Sequence, residues 1–377
     1  MKIIVTDVAS RKSFDVVNIL RKVYKYKLVL CSSKDYNFQL KLIYCQKVHR
    51  LRVEDFNDFR SDFFELSELY KDEELIYMPL SDKTTKNVYR YLRESTISNL
   101  RLLLPTENDY YLTCDKIKFQ NYCEQNGFPV PRSYGPDDIE SFYNFFSPLI
   151  VKPYIGAGSV GIKHIETKEQ LDILNKMDLS NYLIQDKIIS MEKVSGAFFL
   201  CKQGKVISTY SHQRLRTFPS NGGVTVYSKS TENNEIISIG SALLKKMNWN
   251  GFAMIEFLFD QKTKEWKIIE LNPRLWGSIL LSTFIGNNML QDYVNLCAGL
   301  SLKGNKLLKK GFIRWIYPFD LLNLFKGEIG IKDFFRFNTK ETGYINFTYS
   351  PPLRSILYLI YFSFNVSSII RFFKKVF

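Results

Sequence analysis

The fold is decided by residues 253–278, AMIEFLFDQKTKEWKIIELNPRLWGS. Two hydrophobic runs, Phe252 to Phe259 and Trp266 to Leu271, flank a polar turn, which is the pattern of a β-hairpin. Each run contains one carboxylate, Glu256 in the first and Glu270 in the second, where a buried strand would normally carry an apolar residue. The two acids therefore mark this hairpin as a candidate site.

The residues that follow Glu270 extend this site along the strand. Asn272 comes two positions later and Arg274 two positions after that, so the three side chains point to one face of an extended chain. Carboxylate and amide oxygens suit Mg²⁺, and a guanidinium suits phosphate or carboxylate oxygens. The alternative is that both glutamates make surface ion pairs at the edge of a sheet. On the first interpretation Glu256, Glu270 and Asn272 are the metal ligands.

A second set of residues is suited to binding phosphate. Lys152 ends a predicted strand over 148–153, and the loop 154–161 follows it. Glycines allow a backbone to approach closely and to point N–H groups at phosphate oxygens, and Ser159 adds a hydroxyl. A plain hairpin turn is the alternative. Lys116 lies near the start of a helix predicted to run to Gln125.

Together these elements resemble the ATP-grasp superfamily, near its carbamoyl-phosphate-synthetase-like and carboxylate–amine ligase branches. The resemblance covers about residues 1–300, and its specificity comes from the order of the elements. Those that precede the hairpin are Lys116, Lys152, the loop 154–161, the segment 183–188 and Glu192.

The resemblance implies a site for ATP with two Mg²⁺ ions, for which Mn²⁺ is an alternative. Lys152 is expected at the α- and β-phosphates and Lys116 at the α-phosphate. The backbone of Lys187 and Ile188 is expected at the adenine edge. At the position of Asp186, most relatives carry glutamate. Glu192 corresponds to the ribose-binding carboxylate, with a solvated loop acid as the alternative. The implied nucleotide-binding residues are Lys116, Lys152, Gly156, Gly158, Ser159, Gln185, Asp186, Lys187, Ile188 and Glu192.

Two arginines in the segment 211–219, Arg214 and Arg216, are expected to share one strand face because they are two residues apart. Like charges side by side repel, so an anionic ligand would explain them. The alternative is a pair of exposed charges that protects an edge strand from aggregation. The resemblance implies that such an arginine contacts the transferred phosphate or the substrate carboxylate. Arg214, Arg216 and Arg274 are therefore the predicted catalytic residues.

The chain is predicted to combine α/β and α+β architecture. Strands alternate with helices up to residue 105, which indicates a parallel, Rossmann-like sheet. Its first turn lacks the G-x-G-x-x-G of dinucleotide binding. Arg11 and Lys12 in that turn either meet a carboxylate or, as the favoured alternative, belong to a solvated loop. The predicted units are a Rossmann-like domain over 1–108, an ATP-grasp first lobe over 109–186, a second lobe with the metal site over 187–300, and a basic extension over 301–377.

The composition is that of a folded protein, with a net charge of +14. Residues 301–377 hold 13 Lys and Arg against 4 Asp and Glu, a local excess of +9 that suits an anionic surface. The run 355–370 is apolar and has basic residues beyond it, so it is predicted either to lie at a membrane interface or to dock on the protein's own core. Nucleic acid is disfavoured because basic and aromatic residues do not interleave. Six cysteines without a C-x-x-C pair indicate reduced core thiols, as in a cytoplasmic protein. If the tail binds a membrane, the protein would lie peripherally at the inner face of that membrane.

The expected function is an ADP-forming carboxylate–amine ligase that makes an amide through an acyl phosphate. Its substrates would be a small-molecule or lipid-linked carboxylate and an amine, in cell-surface polysaccharide or in amino-acid and peptide modification. A homodimer is compatible with this interpretation. The alternatives are an ATP-dependent carboxylase or carbamoyl-phosphate-type enzyme, and a non-catalytic, nucleotide-binding membrane adaptor.

Overall fold

The computed structural model describes residues 1–33, 38–143, 146–156, 161–220, 222–302 and 307–364. These residues form three sheets of five, four and seven strands.

The first unit is a parallel five-stranded sheet in the order β3-β2-β1-β4-β5. Its side chains alternate between two cores: Ile3 packs in one with α1 and α2, and Ile4 packs in the other with α3 and α4. The predicted Rossmann-like sheet is thereby confirmed. The elements are β1 (Lys2–Val5), α1 (Arg11–Lys22), β2 (Leu28–Ser32), α2 (Phe38–Tyr44), β3 (Val48–Arg50), α3 (Phe56–Leu69), β4 (Leu75–Met78), α4 (Asp82–Glu94) and β5 (Leu100–Arg101).

Two details of this unit differ from the sequence prediction. The apolar run at residues 102–104 predicts the last strand there, whereas the structure has it two residues earlier, at Leu100–Arg101. The helix α2 was not predicted, because FQLKLIY alternates apolar and polar residues at its start as a strand would. Packing of Leu40, Ile43 and Tyr44 in the core selects the helix.

The second unit is an antiparallel four-stranded sheet in the order β6-β9-β7-β8. The predicted helix around Lys116 is divided into two helices, because the Asp115 side chain accepts from the N–H groups of Ile117 and Lys118 and starts a new helix. The elements are α5 (Glu107–Cys114), α6 (Lys116–Gln125), β6 (Ser133–Tyr134), α7 (Ile139–Phe142), β7 (Leu149–Pro153), β8 (Lys163–Ile165) and β9 (Tyr182–Asp186).

The third unit is a mainly antiparallel seven-stranded sheet in the order β14-β13-β10-β11-β12-β15-β16. The predicted hairpin is its β13–β14 pair. The last two strands come from the region beyond residue 300, so part of the predicted extension completes this sheet. The elements are β10 (Ser195–Lys202), β11 (Lys205–Phe218), β12 (Val224–Thr231), α8 (Asn234–Lys246), β13 (Gly251–Asp260), β14 (Glu265–Asn272), α9 (Ile279–Phe284), α10 (Met289–Cys297), β15 (Phe312–Arg314) and β16 (Thr342–Tyr344).

The two faces of this sheet have different neighbours. On one, which we call the site face, Phe198 and Phe252 pack with Trp276 and the first unit. On the other, the reverse face, Phe199 and Ile255 pack with α8. Glu256 is two residues from Met254, a site-face residue, and so lies on the site face.

The C-terminal region adds three helices: α11 (Leu321–Phe325), α12 (Ile331–Phe334) and α13 (Pro352–Phe364). α13 is docked on the first unit, where Tyr358 stacks on Phe14 with ring centroids 4.2 Å apart. Its opposite side is apolar and exposed. Up to residue 364, docking on the protein's own core and binding at a membrane interface thus both have a physical basis. Residues 365–377 lie outside the described part of the chain. Among the described residues, no helix is both long and apolar enough to cross a membrane.

The six cysteines are free thiols. Cys31, Cys123 and Cys201 are buried as predicted, whereas Cys45 is exposed, so the prediction of a core position is wrong for that residue.

Candidate active site

The centre of the site is a pair of facing carboxylates. Glu256 and Glu270 are direct cross-strand partners, which places their Cβ atoms about 5 Å apart. Burial raises the pKa of the Glu256 carboxyl, Arg214 opposes this, and the charge of Glu270 raises the pKa further. Asn272 donates from Nδ2 to Glu270 Oε1 at 2.9 Å. The predicted metal ligands are thus brought together, with mutual repulsion that a divalent cation would relieve.

Arg274 connects this hairpin to the first unit. Its Nη2 donates to Asn272 Oδ1 at 3.2 Å, and its Nε donates to Asp82 Oδ2 at 2.7 Å. Burial alone would raise the pKa of the Asp82 carboxyl, but the charges of Arg274 and Lys12 hold it below its ordinary value. Asp82 was missed from sequence, although it follows the carboxyl end of β4, where parallel sheets place ligands.

The first turn of the chain is part of the same region, so the favoured expectation of a solvated loop for Arg11 and Lys12 is wrong. Lys12 Nζ donates to the carbonyl of Leu275 at 3.2 Å, and burial together with the charge of Arg274 lowers its pKa well below the ordinary value. Arg11 lies 3.6 Å from the ring centroid of Trp315, and burial lowers its pKa to about 10. Both cations are half-buried because the first sheet packs against the site face, a contact that the local sequence does not reveal.

The two predicted phosphate lysines approach the hairpin from the second unit. Lys152, at the end of β7, is 7% exposed, and burial lowers its pKa to about 8 against the opposing charge of Glu270. Lys116 Nζ donates to the carbonyl of Gly156 at 2.7 Å, and its charge also lowers the pKa of Lys152. The predicted loop residues Gly158 and Ser159 lie outside the described residues. Both lysines therefore share one electrostatic environment with the carboxylates.

The two predicted arginines lie on opposite faces of the sheet, so the expectation of a shared face is wrong. Arg214 pairs across β12 with Ser228, but Arg216 pairs with the adjacent Tyr227, because a bulge at Leu215 shifts the register. Arg214 contacts the Glu256 carboxylate on the site face. Arg216 is directed to the reverse face, and a role for it beside Arg214 is not supported by this geometry.

The hinge after β9 is held largely by its own hydrogen bonds. Asp186 accepts from the Tyr134 hydroxyl at 2.8 Å, and Gln185 donates to the side chain of Gln120 at 2.6 Å. These two side chains therefore brace the strand, and direct adenine contacts by them are not favoured. The Lys187 N–H donates to the carbonyl of Pro148 at 2.9 Å. No backbone group in the described part of the chain donates to the Lys187 carbonyl, so this carbonyl can meet a ligand.

Two further predicted positions follow β9 in the chain. Ile188 follows β9, and within the described residues its backbone makes no hydrogen bond. Glu192 is exposed and accepts from Gln213 Nε2 at 3.3 Å. Their roles at adenine and ribose remain predictions.

A buried histidine next to the site was not singled out from sequence. His212 is the site-face partner of Gly196, which in turn pairs with Glu256. Neither ring nitrogen has a hydrogen-bond partner among the described residues, and burial with the charge of Arg214 lowers its pKa to about 3. The ring is therefore neutral. The available signal in the sequence was that His212 lies two residues before Arg214, a spacing that places both side chains on the same face of a strand.

The comparisons with known proteins agree with this geometry. Residues 113–278 match the model of the ATP-grasp domain. Residues 113–278 of this chain therefore form an ATP-grasp domain. The predicted family is thereby confirmed, and the matched segment contains every candidate nucleotide and metal residue.

Two curated relatives are similar in sequence. A carbamoyl-phosphate synthase of Methanobrevibacter smithii is 24% identical over 203 residues, which cover 50% of this chain and 53% of that protein. Acetyl-CoA carboxylase 2 of Arabidopsis thaliana is 27% identical over 138 residues, or 34% of this chain and 6% of that protein. The matches thus span about half of the first relative and a small part of the second.

Solved structures confirm the predicted fold class. The biotin carboxylase domain of Hydrogenobacter thermophilus 2-oxoglutarate carboxylase, a dimer in complex with MgADP, ADP and bicarbonate, has a TM-score of 0.63 and 15% identity, covering 82% of this chain and 73% of that one. The N5-carboxyaminoimidazole ribonucleotide synthetase of Thermus thermophilus has a TM-score of 0.61 and 14% identity, covering 83% of this chain and 82% of that one.

Proposed function

We propose that this protein is an ATP-dependent ligase that joins a carboxylate to an amine and releases ADP and phosphate. The observation that carries the proposal is the convergence of the facing carboxylates Glu256 and Glu270 with the cations Lys152, Arg214 and Arg274. This set has the charge pattern needed to hold a metal–triphosphate complex. It contains no paired nucleophile and base, and the reaction proposed here requires none.

The residues divide into two binding functions. Glu256, Glu270 and Asn272 fit Mg²⁺ because they offer hard oxygen donors, and the buried carboxylate pair has an unfavourable like-charge contact. Two Mg²⁺ ions held there, or Mn²⁺ in their place, would supply positive charge that neutralises the negative charge of the phosphates during transfer. Lys152 and Lys116 are suited to the phosphates themselves, since Lys152 interacts with the charge of Glu270 and Lys116 lies close enough to lower the pKa of Lys152.

The proposed chemistry needs charge neutralisation and positioning. A substrate carboxylate oxygen attacks the terminal phosphorus of ATP, the bond to ADP breaks, and an acyl phosphate forms. Arg214 and Arg274 would stabilise the negative charge on the transferred group. The amine then attacks the acyl carbon, the carbon–oxygen bond to phosphate breaks, and the amine proton is released with phosphate. The products are an amide, ADP and phosphate.

A second candidate is phosphorylation of bicarbonate, as in a carboxylase or carbamoyl-phosphate-type enzyme. It is favoured by the names of the sequence relatives and by the bicarbonate bound in one structurally similar domain. The decisive experiment measures ADP release with Mg²⁺-ATP and bicarbonate alone, and with a panel of amino acids and uronic acids paired with amines. ADP released only when both a carboxylate and an amine are present supports the amide ligase. Release with bicarbonate alone supports the second candidate, and AMP as product would contradict both.

The finer features of the proposal concern location and substrate origin. The exposed side of α13 carries Leu353, Ile356, Ile360 and Phe364, and the neighbouring α2 exposes Phe38. Neither helix contains an acidic residue, and each carries a cation. An apolar surface with basic residues suits an anionic membrane interface. We therefore extend the proposal to a peripheral protein at the inner face of the membrane.

A membrane-proximal ligase would act on a lipid-linked carboxylate in cell-surface polysaccharide modification, with a small amino acid or peptide as the simpler substrate. A homodimer is proposed by analogy with the dimeric biotin carboxylase domain. The division into units at 1–108, 109–186, 187–300 and 301–377 also remains a proposal. A non-catalytic adaptor is disfavoured, because the charged groups of the site are all retained.

A further inference from the structure

A second candidate binding site lies on the reverse face of the seven-stranded sheet. Four residues on neighbouring strands form one cross-strand row, in which Arg216 pairs with Tyr227, Tyr227 with Arg314, and Arg314 with Tyr344. These residues line a cavity of about 290 Å³. Small-molecule sites in proteins begin near this size. The row alternates guanidinium and phenol groups, which is unusual for a surface that only faces solvent.

The floor of this reverse-face cavity carries an excess of positive charge. Asp320, which is fully buried, accepts from Arg216 Nε at 2.9 Å and Nη2 at 2.8 Å, and also accepts from Arg314 Nε. Two guanidinium groups therefore share one carboxylate. The buried Nη2 of Arg314 has no hydrogen-bond partner among the described residues. One carboxylate for two guanidinium groups leaves one positive charge in excess, although both groups also lie over aromatic rings. The Arg216 side chain, 20% exposed, is the one that a ligand carboxylate can reach.

The walls and the rim have different chemistry. The rings of Tyr227 and Phe312 stack with centroids 5.7 Å apart at an interplanar angle of 22°, and Tyr344 also lines the cavity. At the rim, the exposed Asp333 and Glu341 supply two carboxylates, and Arg336 supplies one cation. A ligand that fits this distribution has a carboxylate at the floor, a flat apolar body packed against the rings, and a cationic donor at the rim.

We propose that the reverse-face cavity binds a free amino acid with an aromatic side chain. The α-carboxylate meets Arg216 next to the buried Arg314, the ammonium group meets the rim acids, and the side chain lies against the rings. This site is separate from the ATP-binding site because Arg216 and Arg214 lie on opposite faces of β11. The proposal therefore does not depend on the ligase activity proposed above.

The test is isothermal titration calorimetry of the full chain with three probes: L-phenylalanine, phenethylamine, which lacks the carboxylate, and 3-phenylpropionate, which lacks the ammonium group. L-phenylalanine should bind at least about tenfold more tightly than either analogue, because only it satisfies both charged ends. Equal affinity for all three probes, or no binding of L-phenylalanine at ~10 mM, would overturn the proposal.

Three variants locate the binding. Arg216→Gln should weaken L-phenylalanine binding at least about tenfold, and the fold should persist because Arg314 still pairs with Asp320. Lys340→Gln, an exposed position on the segment between α12 and β16, is the matched control and should bind as the wild type does. Glu270→Gln should also bind normally. Loss of binding in the Glu270 variant with retention in the Arg216 variant would place the amino acid in the ATP site and overturn the proposal.

Discussion

Replacing Glu270 by glutamine separates the two effects that the facing carboxylates have on this protein. Glu270 and Glu256 are direct partners on β14 and β13, with Cβ atoms about 5 Å apart. At that separation, and at an effective dielectric constant of about 20, two unit charges repel by about 3 kcal/mol. Arg214 and Lys152 offset part of this repulsion, so about 3 kcal/mol is an upper bound.

The substitution removes one charge and keeps the shape. Without metal, Glu270→Gln should leave the free energy of unfolding unchanged or raise it by at most about 3 kcal/mol, since Gln still accepts from Asn272. With Mg²⁺ and ATP the effect reverses, because a ligand that binds the folded wild type at 100 times its Kd stabilises it by about 2.7 kcal/mol. The variant should lose that increment and lose ATP turnover by more than about 100-fold.

The assay combines steady-state ADP release with urea unfolding, each with and without Mg²⁺-ATP. Glu265→Gln is the matched control, because this glutamate lies at the other end of β14, is exposed, and pairs only with Lys267 at 2.7 Å among the described residues. Turnover of the Glu270 variant within about threefold of wild type would refute the assignment of the carboxylate pair as the metal site. So would an undiminished stabilisation by Mg²⁺-ATP.

Three further predictions address the phosphate site, the pH dependence and the tail helix. Lys152→Ala should weaken ATP binding at least about tenfold in calorimetry, because a cation at the phosphates is lost, and unchanged affinity would move the phosphate site elsewhere. Burial raises the pKa of Asp15 from 3.8 to about 7, so the folded protein retains a proton that the unfolded chain releases. Stability should therefore fall as the pH rises from about 4 to about 7, by at most about 1.4 kcal/mol per pH unit, and urea unfolding at both pH values should show a smaller difference in Asp15→Asn. Substituting both Ile356 and Ile360 by Asp should abolish salt-sensitive sedimentation with anionic vesicles. The control Phe64→Asp, at an exposed position on α3, should sediment as the wild type does. Absence of sedimentation by the wild type would contradict the membrane proposal.

Truncation of the tail is a less specific test of membrane binding than point substitution. Tyr358 of α13 stacks on Phe14 of α1, and Ser355 donates to the carbonyl of Asn346. Removing residues 353–377 would expose this core and destabilise the first unit regardless of any role at a membrane. The exposed residues of α13 can be changed without disturbing those contacts.

Local sequence patterns determined the elements that depend on short-range periodicity. The hairpin, its two facing glutamates and the strand–helix alternation up to β5 follow from spacings of two and of three to four residues, and the structure retains them. The resemblance to the ATP-grasp superfamily came from an ordered set of elements: Lys116, Lys152, the loop 154–161, the segment 183–188, Glu192 and the hairpin. Each of these elements is encoded within a short segment, and the order of the elements is read directly from the sequence.

Long-range packing decided the remaining features. A single bulge at Leu215 moved Arg216 to the reverse face, because one inserted residue reverses the side on which the following side chains point. Lys12 and Asp82 join the site only because the first sheet packs beside the hairpin. Asp82 and its partner Arg274 are more than 190 residues apart in the sequence. Strands β15 and β16 completed a sheet whose other strands end at residue 272. Such contacts depend on how distant surfaces fit together, and no local spacing records that fit.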